Sequence, residues 1–301
     1  MLRKILITGG SGLIGKHLSQ ALKTKGYQVV ILGRKENLTE EIPVYRWDLN
    51  TSFIDERVFE GLTDVVHLAG AGIADSAWTQ QRKQELIDSR VKNAALLKEF
   101  LFKKNIRLNS FTGASAVGFY GAVTKEHIFT ENDPPSSDFL GTCCKLWEES
   151  YNEIISSGVR TSIIRVGVVL AREGGALKKL VAPVRFGCAA ALGTGKQIVP
   201  WIHINDLVGI FLKAIEDQSM RGIYNAVAPQ KISNYELTKS MAEVMHKPFF
   251  LPNVPSFVLN LAMGEMSSIV LEGSEISAEK IVKAGYAFKF TEIKEALKNL
   301  L

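Results

Sequence analysis

The chain has 301 residues, of which 46% are hydrophobic and 22% charged, so it can bury a sizeable core and is not expected to be disordered. Its net charge of +5 comes from Lys and Arg scattered among Asp and Glu, without the basic runs of a nucleic-acid-binding surface. Three cysteines, two of them adjacent, give neither a disulfide framework nor metal-ligand spacing, so no metal is expected and the expected compartment is the cytoplasm. No segment reaches about 18 uninterrupted apolar residues, so a membrane span is not expected.

Short apolar runs rich in β-branched residues predict buried parallel strands at 5–8, 28–32, 44–47, 64–69, 107–112 and 160–166. Helical patterns lie between them, notably at 15–25, 80–104 and 145–157. Strands and helices therefore alternate as in an α/β fold with a doubly wound parallel sheet.

The alternation stops at about Gly174, where the sequence becomes rich in glycine and proline, and it returns with a helix at 205–215 and a strand at 222–226. The tail is mostly helical. We therefore expect a doubly wound α/β domain of residues 1–173 and 204–228, and a smaller, discontinuous domain of residues 174–203 and 229–301.

A glycine loop follows the first strand directly, in the order Gly9-Gly10-Ser11-Gly12-Leu13-Ile14-Gly15, and a helical pattern follows the loop. This is the strand, loop and helix context of a dinucleotide site, in which Gly9 permits the tight turn and Gly12 lets the backbone approach the pyrophosphate. Gly15 permits close packing of the helix on the strand, and the helix N-terminus offers amide donors. We expect cofactor contacts at Gly9, Ser11, Gly12, Leu13 and Ile14; a ligand-free turn is the alternative.

The second strand ends at Gly33-Arg34-Lys35, where an NAD-specific site usually carries an acidic residue that binds the ribose 2′-hydroxyl. Arg34 suits a 2′-phosphate instead, because its guanidinium offers a fork of donors, and Lys35 adds charge. The sequence therefore predicts NADP(H) as the cofactor, bound by a Rossmann-type domain of residues 1–173 and 204–228, and residues 174–203 and 229–301 are expected to bind the substrate. The alternative is that both are solvated residues at a strand end.

The third and fourth strands end at Asp48-Leu49 and at Leu68-Ala69-Gly70. Ligands of doubly wound sheets bind at the carboxyl ends of the strands, so we expect both segments to contact the cofactor. Asp48 is placed to accept from the adenine amino group, while Ala69 and Gly70 let the ribose lie against the backbone. A turn or helix-cap role for Asp48 is an equal alternative.

Four motifs resemble those of the NAD(P)-binding epimerase/dehydratase superfamily, within the extended or atypical short-chain dehydrogenase/reductases: GGSGLIG, HLAG, SAVGFYG at 115–121, and WIHINDLV. The chain is most similar to epimerase-like proteins known as nucleoside-diphosphate-sugar epimerases. That closer resemblance spans nearly the whole chain and is carried by Ser89-Arg90, SAVGFYG, RVGVVL at 165–170, GGAL at 174–177, PWIH at 200–203 and GEM at 264–266.

The resemblance implies cofactor contacts at Gly33-Arg34, at Leu68-Ala69, on the helix that bears Glu85 and Arg90, and at Val168 near the nicotinamide. Arg90 suits this role chemically, since a guanidinium neutralises phosphate, whereas Glu85 has a solvated charge as its alternative. A small polar substrate, such as a nucleotide sugar, is implied as well. The oligomeric state stays open.

The wider family pairs a tyrosine and a lysine in Tyr-x-x-x-Lys, in which the lysine lowers the tyrosine pKa for proton transfer. Lys145 is the candidate lysine, but Gly141 stands where the tyrosine belongs. Ser115 matches the family serine, and Tyr120 is the expected substitute proton donor. The alternatives are a packed Tyr120 whose hydroxyl is satisfied locally, and a Lys145 that holds ribose hydroxyls or lies on a solvated helix face.

These features favour an NADP(H)-dependent oxidoreductase or nucleotide-sugar epimerase-like enzyme with an atypical active site. The missing tyrosine leaves a second hypothesis open, a catalytically inactive dinucleotide-binding sensor or regulator. A structural protein without a ligand is the least favoured of the three hypotheses, because the glycine loop is intact.

Overall fold

The computed structural model describes residues 3–301 of the chain. Ten strands form in chain order: β1 (Lys4–Thr8), β2 (Gln28–Gly33), β3 (Val44–Asp48), β4 (Phe53–Ile54), β5 (Leu62–His67), β6 (Ser110–Ala116), β7 (Thr161–Val166), β8 (Val168–Ala171), β9 (Trp201–His203) and β10 (Gly222–Ala226). Eight of them form one sheet in the order β10-β7-β6-β5-β1-β2-β3-β4, and β8 pairs with β9 in a separate two-stranded sheet.

The helices are α1 (Leu13–Thr24), α2 (Gln80–Lys103), α3 (Phe139–Glu149), α4 (Asn152–Ser156), α5 (Gly175–Arg185), α6 (Ile204–Glu216), α7 (Asn234–Val244), α8 (Ser256–Met263), α9 (Ser268–Leu271), α10 (Glu279–Lys283) and α11 (Ile293–Leu300). Short 3₁₀ helices form at Glu56–Phe59, Val117–Tyr120 and Gly264–Ser267. No helix of residues 3–301 is both long enough and apolar enough to cross a membrane.

The strand order reverses direction at β1, which pairs in parallel with β2 on one side and β5 on the other. Every pairing of the large sheet is parallel except β3 with β4. The crossover from β1 through α1 to β2 and the crossover from β5 through α2 to β6 run in opposite directions along the sheet, so right-handed connections place their helices on opposite faces. Accordingly α1 packs with α6, and α2 packs with α3. The predicted Rossmann-type doubly wound sheet is confirmed.

The core explains why the strands read as apolar runs. All five residues of β1 are buried, because helices cover both faces of the sheet. A second apolar cluster includes Leu170, Trp201, Leu237 and Leu297 and joins β8, β9, α7 and α11. The division of the chain into two domains stays a prediction.

The predicted helix at 145–157 differs from the structure by more than two residues at both ends, whereas the other predicted helices differ by at most two. The expected helix at 145–157 begins at Phe139, because the Asp138 side chain caps it by accepting from the Gly141 N–H at 2.7 Å. It ends at Glu149, and α4 follows after Ser150 and Tyr151. The helical pattern was visible in the sequence, whereas its polar cap lay in a stretch rich in Pro and Ser.

Candidate cofactor crevice and active site

The glycine loop forms the tight turn that its sequence predicts. Gly9 has φ +69°, a conformation that favours glycine, and its carbonyl accepts from the Gly12 N–H at 3.0 Å. Gly12 is exposed at the N-cap of α1, where an added Cβ would lie 3.3 Å from Gly9 O and, among residues 3–301, would contact nothing else outside its chain neighbours. At Gly15 a Cβ would lie 2.4 Å from the same oxygen. The loop thus has the shape that fits a pyrophosphate: closed toward the protein at Gly15 and open at Gly12.

The loops that follow β1 and β5 meet at the point where the strand order reverses. A Cβ on Gly9 would lie 2.9 Å from the Leu68 carbonyl, and the Ala69 N–H donates to Thr8 Oγ1 at 3.2 Å. Leu13 and Ile14 begin α1 beside this junction, while Ser11 and Gly70 are exposed. The crevice between these loops is where doubly wound folds bind dinucleotides.

Arg34 and Lys35 are exposed directly after β2. Neither forms an ion pair with any residue from 3 to 301, whereas the next residue, Glu36, pairs with Arg57 at 2.5 Å. A Cβ on Gly33 would lie 2.6 Å from Val44 Cγ1, so Gly33 allows β2 and β3 to pack closely before Arg34. Arg34 and Lys35 therefore have no counter-charge among residues 3–301 and are available to bind an anion.

Asp48 lies at the end of β3, at the same edge of the sheet. Its Oδ1 accepts from the Asn50 N–H at 2.9 Å, and its Oδ2 lies 3.1 Å from Arg46. The bond from Asn50, followed by the contact with Arg46, holds the Asp48 pKa below its usual range. These contacts are those of a turn residue, and Leu49 beside it is exposed. A contact of Asp48 with adenine stays a prediction.

Arg90 approaches the crevice from α2, below the loop that follows β5. Its side chain lies against Gly70, where an added Cβ would be 3.2 Å from Arg90 Cγ. Nη1 donates to Leu86 O at 2.8 Å and Nη2 to Ala71 O at 3.0 Å. The guanidinium lies 4.8 Å from the ring centroid of Trp147 on α3. Arg90 is thus fixed in the seam between α2 and α3.

Glu85 and Val168, the other two residues that the resemblance implies, lie in different surroundings. The Glu85 carboxylate is largely exposed and pairs with Arg82 at 2.7 Å, the pattern of a solvated charge on a helix. Val168 is half-buried at the start of β8, and its N–H donates to Pro200 O at 2.7 Å. Their cofactor contacts stay predictions, with the contact of Glu85 less supported.

Ser115 is buried, and its hydroxyl donates to Glu148 Oε1 on α3 at 2.6 Å. Glu148 in turn accepts from Arg165 of β7, from Nε at 2.8 Å and from Nη2 at 2.9 Å. The Ser115 hydroxyl therefore donates to the carboxylate of a buried ion pair between Glu148 and Arg165. A contact of Ser115 with a substrate oxygen stays a prediction.

Tyr120 belongs to the same buried cluster. Its hydroxyl donates to Asn225 Oδ1 at 2.7 Å and accepts from Arg165 Nη1 at 2.9 Å, and only 2% of the residue is exposed. Burial raises the pKa of Tyr120 to about 12, against the lowering effect of the Arg165 charge. These contacts favour the packed-aromatic alternative, and the proton-donor role stays a prediction that they do not support.

Lys145 lies on an exposed face of α3, and its nearest carboxylate is that of Glu149, at 3.7 Å. The face of α3 that meets the end of β6 carries Leu140 and Cys144 instead: a Cβ on Gly118 would lie 3.5 Å from Leu140 Cβ and 3.6 Å from Cys144 Sγ. Burial raises the pKa of the Cys144 thiol to about 12. Leu140 and Cys144 have the four-residue spacing of the family's tyrosine and lysine, and neither is suited to proton transfer at neutral pH.

Glu148, Arg165 and Asn225 were not anticipated as parts of one cluster. Glu148 follows Lys145 in a helix whose charges suggest a solvated face, yet it is buried. The available signal was Arg165, a charged residue within an otherwise apolar strand, because such a residue requires a buried partner. Among residues 3–301, no group of three or more His, Cys, Asp or Glu is arranged to hold a metal ion.

Comparison with known families gives two matches. The NAD dependent epimerase/dehydratase family matches residues 5–226, which include the glycine loop, the β5 loop and the buried Ser115 cluster. A domain of unknown function, DUF1731, matches residues 254–300, which run from the segment before α8 to the last helix.

Similar proteins cover nearly the whole chain. The Epimerase family protein YfhF of Bacillus subtilis is 33% identical over 300 residues, covering 99% of this chain and 97% of YfhF. The chloroplastic SDR39U1 homolog of Arabidopsis thaliana is 30% identical over 303 residues, covering 99% of this chain and 86% of the homolog.

Two solved structures support the same assignment. Human epimerase family protein SDR39U1 (isoform 2), solved with NADPH, matches with a TM-score of 0.87 and 28% identity, over 99% of this chain and 98% of the human chain. The nucleoside-diphosphate sugar epimerase from Corynebacterium glutamicum matches with a TM-score of 0.81 and 29% identity, over 100% of this chain and 58% of the other. The expected resemblance is confirmed, and the chain, with its NAD(P)-binding Rossmann fold, belongs to the NAD dependent epimerase/dehydratase family.

Proposed function

We propose that this protein binds NADP(H), with the pyrophosphate at the Gly9–Gly12 loop and the 2′-phosphate at Arg34 and Lys35. The observation that carries the proposal is the pair of exposed cations after β2, which have no carboxylate partner among residues 3–301. An NAD-specific site places an acid at this strand end, whereas a 2′-phosphate requires a cation. The NADPH in the human SDR39U1 structure supports the same cofactor.

The order of the strands supports the remaining cofactor contacts that we propose. The adenosine half lies toward β2 and β3, beside Gly33, Asp48 and Leu49. The nicotinamide half lies toward β5, β6 and β7, beside Leu68, Ala69, Gly70, Arg90 and Val168. Leu13 and Ile14 at the start of α1 support the phosphates between the two halves.

Calorimetric titration of Arg34→Ala with NADPH and NADH tests the cofactor choice. A charge-assisted contact contributes about 1.5–3 kcal/mol, so the variant should bind NADPH at least about tenfold more weakly and NADH unchanged. Arg107→Ala is the matched control, because Arg107 is exposed just before β6, at the amino ends of the strands. Equal weakening of both cofactors would contradict the assignment.

The chemistry that we propose is oxidation, reduction or epimerisation of a small polar carbonyl or carbinol compound, with a nucleotide sugar as the candidate from the family. Bound NADP(H) would supply the hydride, and the protein would supply orientation. We also place the protein in the cytoplasm, in keeping with the unpaired thiols of Cys143, Cys144 and Cys188.

The second candidate function is a dinucleotide-binding sensor without turnover. It is favoured by the buried, satisfied Tyr120 hydroxyl and by the Leu140 and Cys144 side chains at the end of β6. A panel of carbonyl compounds and nucleotide sugars separates the candidates. Turnover of each compound is measured by the change in NADPH absorbance and by analysis of the products for epimers. Turnover of any panel member supports the enzyme, and cofactor binding without turnover across the panel supports the sensor.

A further inference from the structure

Four large apolar side chains in the second half of the chain extend into solvent. Phe186 is 85% exposed, Phe250 76%, Phe257 71% and Leu261 88%. No other large apolar side chain of residues 3–301 is more than 51% exposed. Single exposed apolar residues are normal on a protein surface, whereas a group of them indicates an interaction site.

Two segments that run side by side join these four side chains into one surface. A Cβ on Gly187, which follows Phe186, would lie 3.8 Å from Cγ of Pro248, which lies two residues before Phe250. Further along, the Gly193 N–H donates at 2.9 Å to a backbone carbonyl of the segment that leads into α8. Because α8 carries the other two residues, all four belong to one side of the protein, which we call the apolar surface.

The helix that carries Phe257 and Leu261 lacks the core contacts of an ordinary apolar helix. α8 is apolar over most of its length, yet none of its residues is buried. Phe257 and Leu261 are four residues apart and therefore lie on one face. The ion pair between Glu265 and Lys83 of α2, at 2.6 Å, holds the segment after α8 to the rest of the protein. A helix of this composition is normally covered by apolar groups, so the exposed face of α8 requires a partner.

Positive charge without counter-charge borders the apolar surface. Residues 174–205 and 244–264, which contain the surface, include Lys and Arg but no Asp or Glu. Arg185, Lys196 and Lys247 are exposed, and none of them has a carboxylate oxygen of residues 3–301 within 4.0 Å. The apolar side chains are therefore accompanied by cations that lack a partner.

The sign of this charge distinguishes between the possible occupants. A two-fold contact with a second copy would place Arg185, Lys196 and Lys247 near the cations of that copy, and like charges oppose association. An anionic lipid surface instead attracts these cations, with a gain in affinity of about fivefold for each. It also accepts apolar side chains at the boundary between headgroups and acyl chains. Charge complementarity therefore favours a membrane.

We propose that the apolar surface binds membranes that contain anionic lipids. Phe186, Phe250, Phe257 and Leu261 insert at the level of the headgroups, and the three cations bind lipid phosphates. In this arrangement the protein lies on the membrane surface. The binding is additional to the NADP(H) binding proposed above and does not depend on it.

Co-sedimentation of the full-length protein with lipid vesicles tests this proposal. One set of vesicles holds equal parts of phosphatidylcholine and phosphatidylglycerol, and the other holds phosphatidylcholine alone. The protein should bind the anionic vesicles at least about tenfold more tightly than the neutral ones, and added salt should reduce this difference. Absence of binding to the anionic vesicles, or equal binding to both sets, would overturn the proposal.

Substitution on α8 tests the apolar contribution. Phe257→Ser combined with Leu261→Ser should weaken binding to anionic vesicles at least about tenfold, because it removes two inserted side chains. Phe102→Ser is the control, because Phe102 is 42% exposed on α2, outside the apolar surface, and should leave binding within about twofold of wild type. Sedimentation velocity without lipid tests for a second copy. A dimer that the double variant dissociates would assign the surface to self-association and overturn the proposal.

Arg185→Gln combined with Lys247→Gln tests the charge. Loss of two contacts with anionic lipid should weaken binding to anionic vesicles at least about tenfold and leave binding to neutral vesicles within about twofold of wild type. The matched control is Lys92→Gln combined with Lys98→Gln, which lowers the net charge equally at two lysines that already have carboxylate partners. Equal losses in the two double variants would mean that net charge alone attracts the protein, and would overturn the proposal.

Fluorescence locates the inserted helix without removing an apolar group. All four native tryptophans are buried, so the added signal of Phe257→Trp reports on α8. Phosphatidylglycerol that is brominated on its acyl chains should quench this signal and leave the added signal of Phe102→Trp unchanged. Absence of quenching in vesicle-bound Phe257→Trp would overturn the proposal, since α8 would then lie outside the membrane.

Discussion

Glu148 and Arg165 form a buried, bidentate ion pair that joins α3 to β7, with Nε to Oε1 at 2.8 Å and Nη2 to Oε2 at 2.9 Å. Ser115 donates to the carboxylate, while Arg165 donates to Tyr120, which donates to Asn225. The groups form one continuous chain of hydrogen bonds below the carboxyl ends of β6 and β7. Such a chain fixes the ends of both strands relative to α3.

Replacing Glu148 by Gln should destabilise the protein by about 3–5 kcal/mol, because the buried Arg165 would lose its counter-charge. Equilibrium denaturation in urea measures the effect. Glu149→Gln is the control, since the exposed Glu149 has, among residues 3–301, only the long contact with Lys145 and should change stability by less than about 0.5 kcal/mol. Equal effects of the two variants would show that the Glu148 pair contributes no more than a surface pair.

Removing the Tyr120 hydroxyl should affect stability and not cofactor binding. Tyr120→Phe leaves Asn225 Oδ1 without its donor and Arg165 Nη1 with only the long contact to Glu131 O among residues 3–301, at a cost of about 1–3 kcal/mol. NADPH affinity by calorimetry should stay within about twofold of wild type. If a substrate is found, a fall in turnover of about 10²–10⁴ in a fully folded variant would restore Tyr120 as the proton donor.

The two ends of the glycine loop should respond differently to substitution. Gly12→Val places a branched side chain where the phosphates approach and should abolish NADPH binding while the circular dichroism spectrum stays native. Gly15→Ala puts a Cβ 2.4 Å from Gly9 O and 2.6 Å from Gly10 Cα. This variant should therefore have a lower melting temperature in addition to weaker NADPH binding. Native NADPH affinity in Gly12→Val would show that the loop is only a turn.

The sheet and the glycine loop were predictable because they depend on local patterns. A strand buried on both faces reads as an apolar run, and a tight turn before a helix requires glycine. The β5 and β7 runs were located to within two residues on this basis.

The active-site residues were less predictable because they depend on the rotation of α3 about its axis. Successive helical residues differ by about 100°, so a shift of one residue exchanges Lys145 for Cys144 at the end of β6. The rotation of α3 cannot be read from the sequence pattern, because it depends on three-dimensional contacts. These are the Asp138 cap and the close packing of Gly141 on Ser136 O. The Tyr120 environment was hidden for a similar reason, since Asn225 lies 105 residues away in sequence.

His67 should make the protein lose stability in mild acid. The imidazole ring is fully buried at the end of β5, and its Nδ1 lies 2.9 Å from Thr8 Oγ1. Burial lowers the pKa of His67 to about 3 from the usual 6.5. Between these values the unfolded chain binds a proton that the folded chain does not, so stability falls as the pH drops below 6.5. From pH 7.5 to 5.0 the loss due to His67 is about 2 kcal/mol.

His67→Asn isolates this contribution, because an amide can take the place of Nδ1 beside Thr8 and does not titrate. Urea denaturation of both proteins at pH 7.5 and 5.0 gives four free energies of unfolding. The wild type should lose about 2 kcal/mol more than the variant over this interval, since the other titrating groups are common to both. Equal losses would mean that the imidazole gains a proton in the folded state as readily as in the unfolded chain, which its burial between β1 and β6 opposes.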